Sequence, residues 1–169
     1  AVKNHLRVIL PYYGIPVDQT QENVAMAFNK NILSDLLRED IGFNGVICSD
    51  WGIITGRHWG VNDLSIIERY EKSIHAGVDQ FGGETDTSHL IRLVNENKVL
   101  ESRIDDSVRR ILINKFDLGL FDNPYVDENN VKQKVNTLKN INAGLDAQRK
   151  SLVLLENNGI LPLKKEAKI

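Results

Sequence analysis

The run Gly42-Phe43-Asn44-Gly45-Val46-Ile47-Cys48-Ser49-Asp50-Trp51-Gly52 holds the residues best equipped for chemistry. Its apolar triplet Val46-Ile47-Cys48 has the length and branching of a buried strand. The triplet gives way to a carboxylate, Asp50, and a large aromatic, Trp51, with glycines on both sides. In a parallel sheet the C-terminal strand ends form the face where active sites sit, which sets Asp50 at a pocket rim with Trp51 as its wall. A carboxylate beside an indole suits sugar chemistry: the acid does the bond-making, and the ring offers a flat apolar face to the C–H side of a pyranose. Taken singly, a strand-end aspartate reads equally as a helix N-cap, and a tryptophan as core packing.

The elements that must position these residues alternate along the chain. Residues from about 7 to 13 are mainly apolar and bounded by Gly14 and Pro16, which predicts a first strand. The spacing of Phe28, Ile32, Leu33, Leu36 and Leu37 predicts one helical stripe, ending before Gly42, with the strand 45–49 next. Ser65-Ile66-Ile67-Glu68 has the form of a capping box, and Ile67, Tyr70 and Ile74 continue one helical face. Val78 to Phe81 reads as a third short strand, closed by Gly82-Gly83. Helices are expected near 87–97 and 103–116, the second opened by a box-like Ser102-Arg103-Ile104-Asp105 and stopped at Gly119. Strands alternating with helices imply a parallel sheet with right-handed crossovers. Three βα units fall short of the eight strands and about 250 residues of a closed barrel, and they leave strand edges unpaired. Beyond Asn123-Pro124-Tyr125, Leu138, Ile141, Leu145, Leu152 and Leu155 predict a last helix that stops at Asn157-Asn158-Gly159 and Pro162.

Five ordered blocks resemble glycoside hydrolase family 3. The run ending in Ser49-Asp50-Trp51 is similar to the family's G-F-x-G-x-V-x-S-D-W signature, and Val8-Ile9-Leu10-Pro11-Tyr12-Tyr13-Gly14 to its M-x-S-Y strand, with Tyr12 in place of the serine. Ala76-Gly77-Val78-Asp79 matches an A-G-x-D element. Arg109-Arg110-Ile111-Leu112 through Leu118-Gly119-Leu120-Phe121 resembles R-I-L-x-x-K-x-x-L-G-L-F. Ser151-Leu152-Val153-Leu154-Leu155-Glu156-Asn157 with Leu161-Pro162-Leu163 resembles S-x-V-L-L-K-N…L-P-L. Glu84 follows Gly82-Gly83 where many members have M-P, a departure that marks a different outer sugar subsite.

The resemblance implies an α/β fold: about the last three βα units of a partial (β/α)8 TIM barrel over residues 1–121. Residues 122–169 would then be a linker, a helix and the threshold of an α/β sandwich domain. It further implies a retaining β-glycosidase acting on terminal β-D-glucosides, with Asp50 as the nucleophile that forms a covalent glycosyl intermediate. Trp51 and Tyr13 would shape the subsite of the bound carbohydrate. Retention needs a second carboxyl group about 5–5.5 Å from the first. In the family that acid/base is a glutamate of the second domain, which has no matching position here. The chain is thus expected to be a portion of a longer enzyme, holding a nucleophile without its partner. No cofactor is implied, because two carboxylates suffice. A β-xylosidase of the same family is the nearest alternative, since the S-D-W block does not separate pentose from hexose. A catalytically incomplete, non-enzymatic piece is the other.

The remaining candidates are weaker. Asp79, Glu84, Asp86 and His89 could be drawn as a metal site, yet their spacing matches no strong ligand pattern and helix-start acids explain it more simply. Asp79 reads as a strand-end anchor. The histidines at 5, 58, 75 and 89 are scattered, and His58-Trp59 reads as surface loop or pocket mouth. A phospho-acceptor receiver fold would need an acidic pair after the first strand, where Tyr12-Tyr13 stand instead. The 169 residues carry 26% charged side chains and a net charge of −2, which gives no basic excess for nucleic acid or a membrane surface. The single Cys48 cannot form an internal disulfide. Compartment stays open: many relatives are secreted or periplasmic, and a deciding segment would lie upstream of Ala1.

Overall fold

A computed structural model describes residues 2–166, with Asn4 described by its backbone. The chain divides into two compact units, Ala1–Pro124 and Tyr125–Ile169.

In the first unit, β1 (Val8–Ile9) pairs parallel with β2 (Val46–Ile47), in the register Val8 to Val46 and Ile9 to Ile47. A parallel bridge between Cys48 and Gln80 continues the order toward the third predicted strand. The three predicted strands therefore stand side by side, but the ladders are shorter than expected and 78–81 makes a bridge instead of a strand. Among the described residues β1 has no neighbour on its outer side, and a two-residue pairing is what remains when one edge lacks a partner. Val8 and Leu10 accordingly lie exposed. The fold is mixed α/β.

The helix predicted from Phe28 to Leu37 is divided. Met26–Phe28 form a 3₁₀ turn, and Asn31–Asp40 wind as a π-helix. The Ile41 N–H reaches Leu36 O at 3.0 Å, five residues back, so each turn holds more residues than an α-helix does. That winding keeps Leu33 buried and rotates Leu36 outward to 47% exposure, off the predicted stripe.

Helix α1 (Ile66–Ala76) starts as its sequence predicts. The Ser65 N–H and hydroxyl both donate to the Glu68 carboxylate, at 2.8 and 2.6 Å. It ends at Gly77, whose φ of 118° is open to glycine and strained for other residues. Helix α2 covers Ser88–Asn95, and α3 covers Glu101–Asp117. The N-cap of α3 is Leu100, so Ser102 to Asp105 lie inside its first turns and do not cap it. Phe28, Leu33, Phe43, Ile47, Ile53, Ile54, Tyr70, Ile74, Val78, Leu93 and Val99 pack into one core. Each large side chain buried there contributes roughly 1.5–3 kcal/mol, which fixes β2 between the helices.

The second unit contains a single turn, α4 (Val131–Lys134), and α5 (Leu138–Ser151). Thr137 Oγ1 accepts the Asn140 N–H at 3.2 Å and starts α5. The helix stops six residues short of Asn157, and Leu152 to Leu155 lie outside it and are exposed. Leu138, Ile141 and Leu145 are exposed too, so the apolar stripe has no face to pack against within this unit.

Candidate active site

The site is assembled where β2 ends. Ser49, fully buried, anchors the strand end to the next segment. Its N–H donates to Gln80 O at 2.8 Å, its Oγ accepts the Gly82 N–H at 2.9 Å, and that hydroxyl donates to Asp50 O at 3.0 Å. The chain turns sharply next, and the Trp51 N–H donates to Asp50 Oδ1 at 2.8 Å. That bond orients the half-buried carboxylate and leaves its second oxygen free of this constraint.

Tyr13 comes from the segment after β1. Its hydroxyl donates to Trp51 O at 2.8 Å, across 38 residues of chain. Desolvation first, and then the neighbouring Asp50 carboxylate, push the Tyr13 phenol above its ordinary value. The three residues expected to form the site, Tyr13, Asp50 and Trp51, are therefore brought together. Trp51 is 58% exposed, which places it at the surface of the site and not in the core.

Three further residues complete the constellation. Arg57 Nη1 donates to the same Trp51 carbonyl at 3.1 Å, and its guanidinium lies 4.9 Å from the centre of the Tyr13 ring. Trp59 meets Tyr13 edge to face, with centroids 5.6 Å apart, which moves it from surface loop into the aromatic cluster. Glu84 Oε1 accepts from the Ile54 N–H, the Thr55 N–H and the Thr55 hydroxyl, at 3.0, 3.0 and 3.2 Å, and so holds the loop that carries Arg57 and Trp59. Arg57 had no periodicity or motif to reveal it, and Glu84 stood out in the sequence only as a departure after Gly82-Gly83; the roles of both depend on which loops meet in space.

Behind the strand, Asp79 is fully buried at its side chain and bonded to Arg38 at 2.6 Å, Arg110 at 2.8 Å and Arg103 at 3.4 Å. It also accepts the Ser107 hydroxyl at 2.8 Å and the Ile47 N–H at 3.0 Å. Burial lowers the pKa of Arg38 and Arg103, against the opposing pull of Asp79. The three acids and the histidine that could be drawn as a metal site are dispersed: Asp79 faces arginines, Glu84 faces loop amides, and Asp86 pairs with His89 at 3.6 Å. No group of three or more His, Cys, Asp or Glu suited to a metal ion occurs among the described residues. No helix among them is long and apolar enough to cross a membrane.

Residues 2–113 match the family described as glycosyl hydrolase family 3, N-terminal domain. A probable β-glucosidase C of Aspergillus flavus is 46% identical over 168 residues, covering 93% of this chain and 26% of that protein. A periplasmic β-glucosidase/β-xylosidase of Dickeya chrysanthemi is 39% identical over 197 residues, covering all of this chain and 30% of that one. The crystal structure of a β-glucosidase from Listeria innocua in complex with isofagomine superposes with a TM-score of 0.65 at 35% identity, over 86% of this chain and 21% of that one. The chain thus spans 16% to 30% of the length of such curated relatives, 26% in the first of them.

Proposed function

The chain belongs to glycosyl hydrolase family 3, and from that premise we propose that it carries the nucleophile of a retaining β-glycosidase acting on terminal β-D-glucosides, within a longer enzyme. The observation that carries the reading is the placement of Asp50. Its carboxylate stands at the C-terminal end of β2, oriented by the Trp51 N–H at 2.8 Å and flanked by Tyr13. In this reading the carboxylate attacks the anomeric carbon as the bond to the leaving oxygen breaks, giving a glycosyl ester on Asp50. A carboxylic acid from elsewhere in the polypeptide protonates that oxygen, then deprotonates the water that hydrolyses the ester. Trp51 and Tyr13 form the walls of the sugar subsite.

The same reading makes residues 1–121 part of a (β/α)8 barrel, about its last three βα units, and residues 122–169 a linker toward a second domain. The parallel β1-β2 pair and the Cys48–Gln80 bridge support it. The 169 residues by themselves would then hold a nucleophile without its acid and turn over ordinary glucosides slowly or not at all. β-Xylosides are a second substrate class, favoured by the likeness to the Dickeya chrysanthemi protein, whose name joins both activities.

The test is covalent trapping. The full-length enzyme is incubated with a 2-deoxy-2-fluoro-β-glucoside bearing a good leaving group, digested and analysed by mass spectrometry. A label on the peptide containing Asp50, lost in Asp50→Ala, is the expected result. Inactivation with the label on another residue would overturn the assignment.

A further inference from the structure

Between Asp50 and α1 the chain dips once into the core. Ile53 and Ile54 are fully buried, and only Thr55 and Gly56 separate them from Arg57. The peptide groups of a buried residue need partners, and Ile54 finds both of its own on charged side chains. Its N–H donates to Glu84 Oε1 at 3.0 Å, and its carbonyl accepts from Arg69 Nη1 at 3.1 Å. Arg69 belongs to α1, and its Nη2 donates to Asn62 O at 3.3 Å, so one guanidinium joins both ends of the stretch 54–62. The stretch is also docked at Trp59, whose carbonyl accepts the Ala25 N–H at 3.0 Å. Gly60 follows with a φ of 80°, packed so closely that a Cβ there would stand 2.5 Å from Asn23 O. The Arg57 N–H is itself bonded to Gly52 O at 2.9 Å.

We propose that Arg69 and Glu84 are positioning residues of the active site: gripping the Ile54 peptide from its two ends with opposite charges, they set Arg57 against Tyr13 and the Trp51 carbonyl. Hydrogen bonds with one ionised partner are roughly twice as strong as neutral ones, so the two grips outweigh ordinary loop contacts. Arg57 Nη1 then reaches Trp51 O at 3.1 Å, on the residue that directly follows Asp50. The line of contact runs from α1 through Ile54 and Arg57 to the peptide after the nucleophile. Helix α1 is thereby a support of the site, and the loop it grips is a preformed part of that site. All of these bonds join groups of this chain. This inference rests on the glycosidase reading, and within it Arg69 and Glu84 act through Arg57.

The experiment is a double-mutant cycle in the full-length enzyme, read on 4-nitrophenyl β-D-glucoside. Glu84→Ala and Arg69→Met are each introduced into the unaltered enzyme and into Arg57→Ala. Each is expected to lower kcat/KM about fivefold in the unaltered enzyme, the scale of one lost hydrogen bond. In Arg57→Ala, where the side chain they position is gone, each is expected to change kcat/KM by less than about twofold. Glu84→Gln keeps the acceptor oxygen that takes all three loop bonds and is expected to restore the unaltered value. An equal loss in both backgrounds would overturn the positioning role while leaving the glycosidase reading intact, because a residue that supports only the fold acts whether or not Arg57 is present. No loss in either background would overturn it too. If one of the two variants fails to fold, the other decides by the same comparison. Absence of turnover by the unaltered enzyme would overturn the glycosidase reading, and the positioning role with it.

Discussion

The Asp79 carboxylate accepts the backbone N–H of Ile47 at 3.0 Å, three residues before Asp50. Because Asp79 is held in turn by Arg38, Arg103 and Arg110, the strand that presents Asp50 is tied to α3 and to the π-helix 31–40 through one buried carboxylate. Replacing it with a neutral amide keeps the shape and takes from three guanidinium groups the carboxylate they share. Removing one partner of a buried ion pair costs about 3–5 kcal/mol. Asp79→Asn is therefore expected to lower the urea unfolding midpoint of the full-length enzyme strongly. A midpoint within experimental error of the unaltered protein would show that the network carries no such weight.

Tyr13 and Arg57 donate to the same acceptor, Trp51 O, at 2.8 and 3.1 Å. Either bond contributes about 0.5–1.5 kcal/mol, and losing one leaves the carbonyl still satisfied. Tyr13→Phe and Arg57→Ala are each expected to reduce kcat/KM modestly, and the double variant by more than the product of the two, since it leaves Trp51 O without either donor. A strictly multiplicative double variant would remove this account. The raised Tyr13 phenol also keeps its proton beyond its ordinary value of 10.0. The alkaline limb of activity below pH 10 is accordingly expected to be the same in Tyr13→Phe as in the unaltered enzyme.

Much of this arrangement was legible in the sequence, and what was not has physical causes. The run from Gly42 to Gly52 and the segment ending at Tyr13 named the strands, and the structure sets them parallel, with Asp50 and Tyr13 at the same end. The Ser65–Glu68 box is local chemistry, written within a few residues, and it forms as read. Leu36 and Leu155 were misplaced because periodicity assumes a uniform helix, whereas one segment winds as a π-helix and the other ends at Ser151. Ser102 failed as a cap because α3 begins at Glu101, and nothing short-range marks Leu100 as its N-cap. Arg57 was invisible, and Glu84 was noticed without its role, because their partners are a tyrosine 44 residues away and loop amides about 30 residues away.

Gly77 offers a test of backbone strain apart from any chemistry. Its φ of 118° closes α1, and an added Cβ would lie 3.1 Å from Ser34 Oγ. A non-glycine residue forced into positive φ costs roughly 1–2 kcal/mol. Gly77→Ala is expected to destabilise the enzyme by that amount with KM unchanged, because Gly77 lies at the opposite end of the Val78-Asp79-Gln80 segment from the site. A change in KM larger than the change in stability explains would show that the strain reaches Asp50.

Tyr70 supplies a test at alkaline pH. Its ring is 2% exposed, edge-on to Phe81 at 4.9 Å and stacked on His89 at 5.7 Å. Desolvation first, then the charges of Glu84 and Asp86, push its phenol up to about 12 from an ordinary 10.0. The unfolded chain therefore releases this proton before the folded one does. The contribution of Tyr70 to stability is complete below pH 10 and is lost as the pH rises from 10 to about 12. Urea unfolding midpoints measured from pH 9 to 12 are expected to fall more steeply in the unaltered enzyme than in Tyr70→Phe, which has no phenol to ionise. Parallel declines in the two proteins would mean that the buried Tyr70 hydroxyl is not what limits stability in alkali, and that other tyrosines or lysines govern that limb.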